Sequence, residues 1–152
     1  MKLTTKDLNK ILQSNCVTKR YFFGTYPACY YPLSRNYVYS FITNTDDHGS
    51  PGQHWNSWFI RDGKISFFDS FGRPPDHPAF PPQYQDLVKR FDELEYSRTQ
   101  IQGLNATTCG MFCAHFIYFL SLGLNFQNFI DDYSSDFDIN EKIVYDFIDS
   151  IM

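Results

Sequence analysis

The chain has no stretch that spans a bilayer, no internal repeat, no run of like charge and no Gly/Ser linker. Its longest apolar run, residues 116 to 124, is shorter than the roughly 20 residues a membrane helix needs. The N-terminal MKLTTKDLNKILQ is polar and helix-patterned, without the basic and then apolar zones of a secretory signal. An unexported, soluble protein is expected, and its four cysteines, Cys16, Cys29, Cys109 and Cys113, read as thiols rather than a disulfide framework. The formal net charge of -4 gives no broad basic face, so nucleic acid is not expected as a main partner. No second ligand pair at standard spacing accompanies Cys109 and Cys113, which leaves the zinc signal weak, and no metal or organic cofactor is expected.

Aromatic residues, by contrast, are abundant. They make up 19% of the chain, 16 of them Phe and 11 Tyr, which excludes a disordered polypeptide and supplies a large core for 152 residues. That length fits one domain, residues 1 to 152. Leu8, Ile11 and Leu12 fall at helical spacing within residues 3 to 13, with Thr4 or Thr5 as N-cap. Residues 21 to 25 and 37 to 43 are rich in aromatic and β-branched side chains and read as strands, after which DDHGSPG at 46 to 52 breaks the chain. The run RPPDHPAFPP at 73 to 82 reads as an extended, proline-stiffened loop. Residues 83 to 96 follow as an amphipathic helix, 98 to 102 as a short strand and 110 to 122 as a buried helix. A last helix carries Ile143, Val144, Phe147, Ile148 and Ile151 on one face behind an Asp138/Glu141 capping box. The reading is α+β, a mostly antiparallel sheet flanked by helices.

The sharpest local signal is HWNSWFIRDGKISFFDSFG, two β-type runs joined by Asp62-Gly63, a dipeptide suited to a type I′ turn. If those two residues form the turn, Arg61 faces Lys64, Asn56 faces Asp69 and His54 faces Phe71. Because side chains alternate along a strand, His54, Asn56, Asp69 and Phe71 then share one face. His54 and Asp69 become diagonal neighbours at about 7 to 8 Å, within reach of a carboxylate leaning towards an imidazole. Cys109 stands where a buried helix begins, and the free N-H groups and dipole of a first helical turn favour an ionised thiol. Brought beside His54, it completes a Cys-His-Asp nucleophilic set. Gln102, seven residues upstream, is placed to add a side-chain N-H to the backbone N-H of Cys109 in an oxyanion cradle, and Gly110 permits close approach. Each residue alone has a plainer reading. Cysteines in aromatic-rich domains are most often small buried hydrophobes, as Cys113 reads here, and His54 beside Trp55 also suits a sheet residue with a satisfied ring. His48 and His77 lie in loops and His115 on the helix, with no catalytic context.

Taken together, YFFGTYP at 21 to 27, ITNTDDHGSPGQHW at 42 to 55, FFDSFG at 67 to 72 and QGLNATTCGMFCAHF at 102 to 116 resemble the adenovirus maturation protease (adenain) family. More distantly they resemble the ubiquitin-like-protein-specific cysteine proteases, which share the order His, acid, Gln, Cys. The resemblance implies a papain-like fold with a catalytic helix starting at the cysteine. It also implies a cysteine endopeptidase with His54 as general base, Asp69 as orienting acid, Gln102 as oxyanion donor, Cys109 as nucleophile and Trp55 walling the site. The substrates implied are capsid or core precursor polypeptides cut at small, glycine-containing sites, within the virion or the host nucleus or cytoplasm. A peptidase that deconjugates ubiquitin-like proteins, or a binding module of the same fold without activity, are the alternatives. The chain departs from adenain in carrying Asp69 where adenovirus enzymes carry Glu, in being acidic, and in having no cysteine between residues 84 and 101. Dependence on DNA or on a disulfide-linked activating peptide therefore does not carry over, and any other activating peptide is left open.

Overall fold

A computed structural model describes residues 3 to 45, 54 to 104 and 106 to 152. The breaker at 46 to 52, with His48, lies outside the described residues. Helix α1 (Thr5–Ser14) starts where the sequence supplies a reciprocal cap: the Asp7 amide donates to the Thr4 hydroxyl at 3.1 Å and the Thr4 amide to the Asp7 carboxylate at 2.9 Å. Its Leu8, Ile11 and Leu12 face inward, as their spacing requires. Strands β1 (Phe22–Tyr26), β2 (Val38–Asn44), β3 (Trp55–Arg61) and β4 (Lys64–Phe68) follow. The β3-β4 hairpin turns on Asp62 at φ 51° and Gly63 at φ 84°, the left-handed pair a type I′ turn demands, and pairs Arg61 with Lys64 and Ser57 with Phe68.

Helix α2 (Pro82–Val88) and β5 (Glu93–Tyr96) occupy the stretch that hydrophobic spacing assigns to one helix, residues 83 to 96. Tyr84, Leu87, Val88 and Phe91 carry a helical period, and a four-residue strand is too short to break it visibly. What stops the helix is tertiary pairing: Glu93 to Tyr96 lie parallel to Lys64 to Phe67 at the sheet edge, with the Lys64 ammonium 3.2 Å from the Glu95 carboxylate. Residues 98 to 102 are not a strand. The amides of Ile101 and Gln102 instead both donate to the Ser70 carbonyl, at 2.9 and 3.1 Å. Residues 73 to 81 are not extended either, since the His77 amide returns to the Pro74 carbonyl and that of Phe80 to His77.

Among the described residues, five strands lie in the order β1-β2-β3-β4-β5. Only the two central pairings are antiparallel; β1 with β2 and β4 with β5 are parallel, so the sheet is mixed rather than mostly antiparallel. Parallel neighbours need connections longer than a tight turn, here one of them carrying α2, whereas the two-residue turn leaves β3 and β4 antiparallel. The α+β class stands.

Helices α3 (Cys109–Ser121), α4 (Phe126–Asp131) and α5 (Phe137–Ile151) cover one face of the sheet together with α1. That core holds Leu8, Phe59, Phe68, Phe112, Phe116 and Phe129, with Phe68 stacked on Phe116 at 5.2 Å between centroids. The opposite face buries a second core of Tyr39, Phe41, Trp58, Phe67, Tyr84 and Leu87 under α2. Every residue of β3 from Trp55 to Ile60 is buried, as a strand between two apolar layers must be. Helix α4, only six residues long, carries too little periodicity to be read from sequence. The Asp138/Glu141 box does not form: α5 is capped by Asp136, which accepts the Asp138 amide at 3.0 Å, and Glu141 accepts the Thr108 hydroxyl instead.

His115 on α3 is hydrogen-bonded to the Tyr133 hydroxyl and ringed by Phe129 and Phe147. Burial holds its pKa down to about 4. Between that value and the unfolded value near 6.5 the unfolded chain takes up a proton that the folded chain refuses, so stability falls as pH falls through this window. We expect a loss on the order of 2 kcal/mol between pH 7 and pH 4.5 from this residue. Urea denaturation at both values measures it, with His115→Phe as reference; an equal loss in the variant would assign the acid sensitivity elsewhere.

Candidate active site

The hairpin places its chemistry at one end of the sheet. His54 immediately precedes β3 and Asp69 immediately follows β4, so both stand where the ladder stops and side chains from the rim reach either layer. The diagonal contact that the register implies is made: His54 Nε2 lies 2.5 Å from Asp69 Oδ1, and the His54 and Phe71 rings stack at 4.5 Å. Asn56, also on that face, donates its Nδ2 to the same Asp69 oxygen at 3.0 Å.

Arg73 is a member of the cluster that sequence reasoning missed. Its Nε and its backbone amide donate to Asp69 Oδ2 at 2.8 and 3.0 Å, and its guanidinium lies over the Phe71 and Phe80 rings. A carboxylate followed four residues on by arginine was the available signal, hidden because a turn rather than a helix brings the two together. Asp69, 2% exposed, thus satisfies both carboxylate oxygens inside the protein. Burial alone would raise its pKa, but the hydrogen bonds from His54 and Arg73 and their positive charge outweigh it and hold the carboxyl below its ordinary value.

His54 shows the mirror image. Burial opposes charge on the ring, while hydrogen bonds to Asp69 and Cys109, and their negative charge, prevail and raise its pKa above the ordinary 6.5. With Nε2 engaged by Asp69, Nδ1 is the nitrogen left for the Cys109 thiol.

Cys109 is the first residue of α3 and is half-buried. The preceding Thr108 does not cap the helix with its side chain; its hydroxyl turns away to the Glu141 carboxylate at 2.7 Å. The first-turn amides beside the thiol are therefore not taken up by that cap. Gly110 lets the helix descend onto the Trp55 ring, because a Cβ at this position would lie 2.9 Å from two of its carbons. Cys113, one turn on, is an inert contrast: fully buried, it donates to the Trp55 carbonyl at 3.3 Å, and burial pushes its pKa well up.

Gln102 is 0% exposed and sits on the segment leading to Cys109. The Ser70 hydroxyl donates to its Oε1 at 2.5 Å, which fixes the orientation of the carboxamide, and its Nε2 donates to the Ala106 carbonyl at 3.1 Å. Ser70, beside Asp69, is a second residue that sequence reasoning missed, since its partner is 32 positions away. The structure therefore brings His54, Asp69 and Cys109 together directly and joins Gln102 to them through Ser70 and the loop. Among the described residues, no bond joins the Gln102 carboxamide to Cys109 or His54. His77 lies apart, its Nδ1 accepting the Ala79 amide. Also among the described residues, no three His, Cys, Asp or Glu side chains are grouped to hold a metal ion, and no helix is long and apolar enough to cross a membrane.

Chemically, this is a thiol at a helix start, an imidazole bonded to a buried carboxylate, and a locked amide nearby. No protein-family profile matches the chain. A thiol protease of Acanthamoeba polyphaga mimivirus is 27% identical over 118 residues, covering 69% of this chain and 37% of the relative. A protease of bovine adenovirus 2 is 30% identical over 111 residues, covering 64% of this chain and 54% of the relative. The chain thus spans about a third and about half of these two curated relatives. In fold it is similar to the ASFV pS273R protease, with a TM-score of 0.58 and 18% identity over 94% of this chain and 66% of that one. The chain is thus similar in sequence to two viral proteases and in fold to a third.

Proposed function

We propose that the chain is a cysteine endopeptidase, acting as one protease domain on viral structural precursor polypeptides. The observation that carries this reading is the position of His54, hydrogen-bonded to the buried Asp69 on one side and near enough to Cys109 on the other to interact with it. In this scheme His54 takes the Cys109 proton and the sulfur attacks the scissile carbonyl carbon. The oxyanion is received by the Cys109 backbone N-H and the second amide hydrogen of Gln102, whose first is held by Ala106. His54 then returns the proton to the leaving amine, and water, deprotonated by His54, releases the acyl group. Asp69 holds the ring in the tautomer this sequence needs.

The relatives named as viral proteases support polypeptide substrates; the family resemblance of the sequence suggests capsid or core precursors, cut at small, glycine-containing sites in the virion or the infected cell.

The test is alkylation of Cys109 by iodoacetamide, followed by mass spectrometry with Cys113 as internal control. At pH 6 the wild type is expected to react about 100-fold faster than His54→Ala, the low end of what a positioned acid-base group contributes. Equal rates would sink the catalytic reading. Parallel incubation with a viral structural precursor and with a ubiquitin-like protein fused after Gly-Gly separates maturation from deconjugation.

A further inference from the structure

The carboxylate at the centre of the site is held from the far side of the sheet. We propose that Tyr84, on α2, is a positioning residue for the His54–Asp69 pair, acting through Asn56 in a one-way chain of hydrogen bonds that begins at Trp58. The assignment rests on the catalytic reading above and extends it into the second core.

Four contacts make the chain. Trp58 Nε1 donates to Thr43 Oγ1 at 3.0 Å, and Thr43 Oγ1 lies 2.7 Å from the Tyr84 hydroxyl. The Tyr84 hydroxyl donates to Asn56 Oδ1 at 2.9 Å, and Asn56 Nδ2 donates to Asp69 Oδ1 at 3.0 Å. An indole N-H only donates and an ionised carboxylate only accepts, so both ends of the chain are fixed in sense. Between them each hydroxyl has a single hydrogen to pass on. Tyr84 gives its hydrogen to Asn56, so Thr43 must give its own to Tyr84. The Tyr84 hydrogen then pins Asn56 Oδ1, and the amide is obliged to turn Nδ2 towards Asp69. Without that hydroxyl the amide is free to flip and set its oxygen against the carboxylate.

Three further features make this more than core hydrogen bonding. The chain ends on Oδ1, the same oxygen that meets His54, whereas Arg73 holds mainly Oδ2. Trp58, Thr43, Tyr84 and Asn56 are all buried, so no solvent replaces a lost link. Burial also drives the Tyr84 pKa far above its ordinary range, which keeps the phenol a donor at every pH the protein meets. The charged and titratable groups facing Asp69 are His54 and Arg73 directly, with Tyr84 and Cys113 behind them.

Loss of a donor on Oδ1 makes Asp69 take up its proton at higher pH, so His54 loses its partner sooner as the solution is acidified. The experiment is the pH profile of Cys109 alkylation by iodoacetamide in the intact chain, for wild type, Tyr84→Phe, Thr43→Val, Thr43→Ser and His54→Ala. Tyr84→Phe is expected to move the acid limb upward by about one pH unit and Thr43→Val, which leaves the Tyr84 hydroxyl on Asn56 but removes the partner that orients it, by about half as much, while Thr43→Ser, which keeps the hydroxyl, retains the wild-type profile. A lowered melting temperature with an unmoved acid limb in Tyr84→Phe and Thr43→Val would overturn the assignment, because packing alone would then explain the chain. Two positions are tested so that failure of one variant to fold leaves the other to decide. If His54→Ala itself matches the wild type, the Cys109–His54 pair fails and the positioning role falls with it. A changed His54→Ala profile beside unchanged Tyr84 and Thr43 variants removes only the positioning role.

Discussion

Alanine in place of Cys109 is expected to lower peptide hydrolysis by on the order of 10⁶-fold, the scale on which loss of a nucleophile is felt when the catalytic groups act as a unit. Stability should stay within about 1 kcal/mol of the wild type. Cys109 is half-buried at the first position of α3, and the helix is held by Met111, Phe112, Phe116 and Ile117, all in the core. Cys113 does not take over, since its sulfur is enclosed and bonded to the Trp55 carbonyl. Hydrolysis of a glycine-containing peptide, followed by chromatography beside a urea denaturation curve, measures both quantities. Residual turnover within tenfold of the wild type would mean that another group attacks the peptide.

The second large effect falls on stability and activity together. Asp69→Ala removes the acceptor shared by His54, Asn56 and Arg73 and leaves the guanidinium between two aromatic rings without its counter-charge. Breaking a buried pair from one side costs about 3 kcal/mol or more, because the surviving charge keeps its desolvation penalty. Removing Arg73 as well should recover part of that loss, so the Asp69→Ala/Arg73→Leu protein is expected to be more stable than Asp69→Ala alone. The sign with pH follows from the lowered pKa of Asp69: the stabilisation is complete above the unfolded value near 3.8 and disappears as pH falls through the lower folded value. Urea midpoints at pH 7 decide the matter. An Asp69→Ala midpoint equal to the wild type would show that the cluster contributes nothing net.

Much of this site is legible before any fold is known, and the reason is the hairpin. Asp62-Gly63 specifies a turn type, the turn type specifies a register, and the register puts His54, Asn56 and Asp69 on one face through the period-two alternation of strands. Each step is local, spanning fewer residues than the turn and its two strands. The helix start at Cys109 is local in the same way, marked by the change from a polar loop to an apolar run.

What misled the reading was equally physical. Residues 83 to 96 carry one hydrophobic period, yet they divide into α2 and β5 because the edge of β4 offers backbone partners that no local pattern announces. Residues 98 to 102 fail as a strand because their amides are claimed by the single carbonyl of Ser70. Glu141 leaves its expected capping box because Thr108 comes within hydrogen-bond reach from α3.

By itself, then, the sequence determined the hairpin register, the pairing of His54 with Asp69 and the helical setting of Cys109, all products of short-range dihedral preference and alternation. Tertiary structure alone decided that α3 lies on one face of the sheet while Tyr84 and Thr43 reach the acid from the other. It alone added Arg73 to Asp69 and fixed Gln102 through Ser70. These contacts join groups whose meeting depends on how whole layers pack, and packing of that kind leaves no periodic trace along the chain.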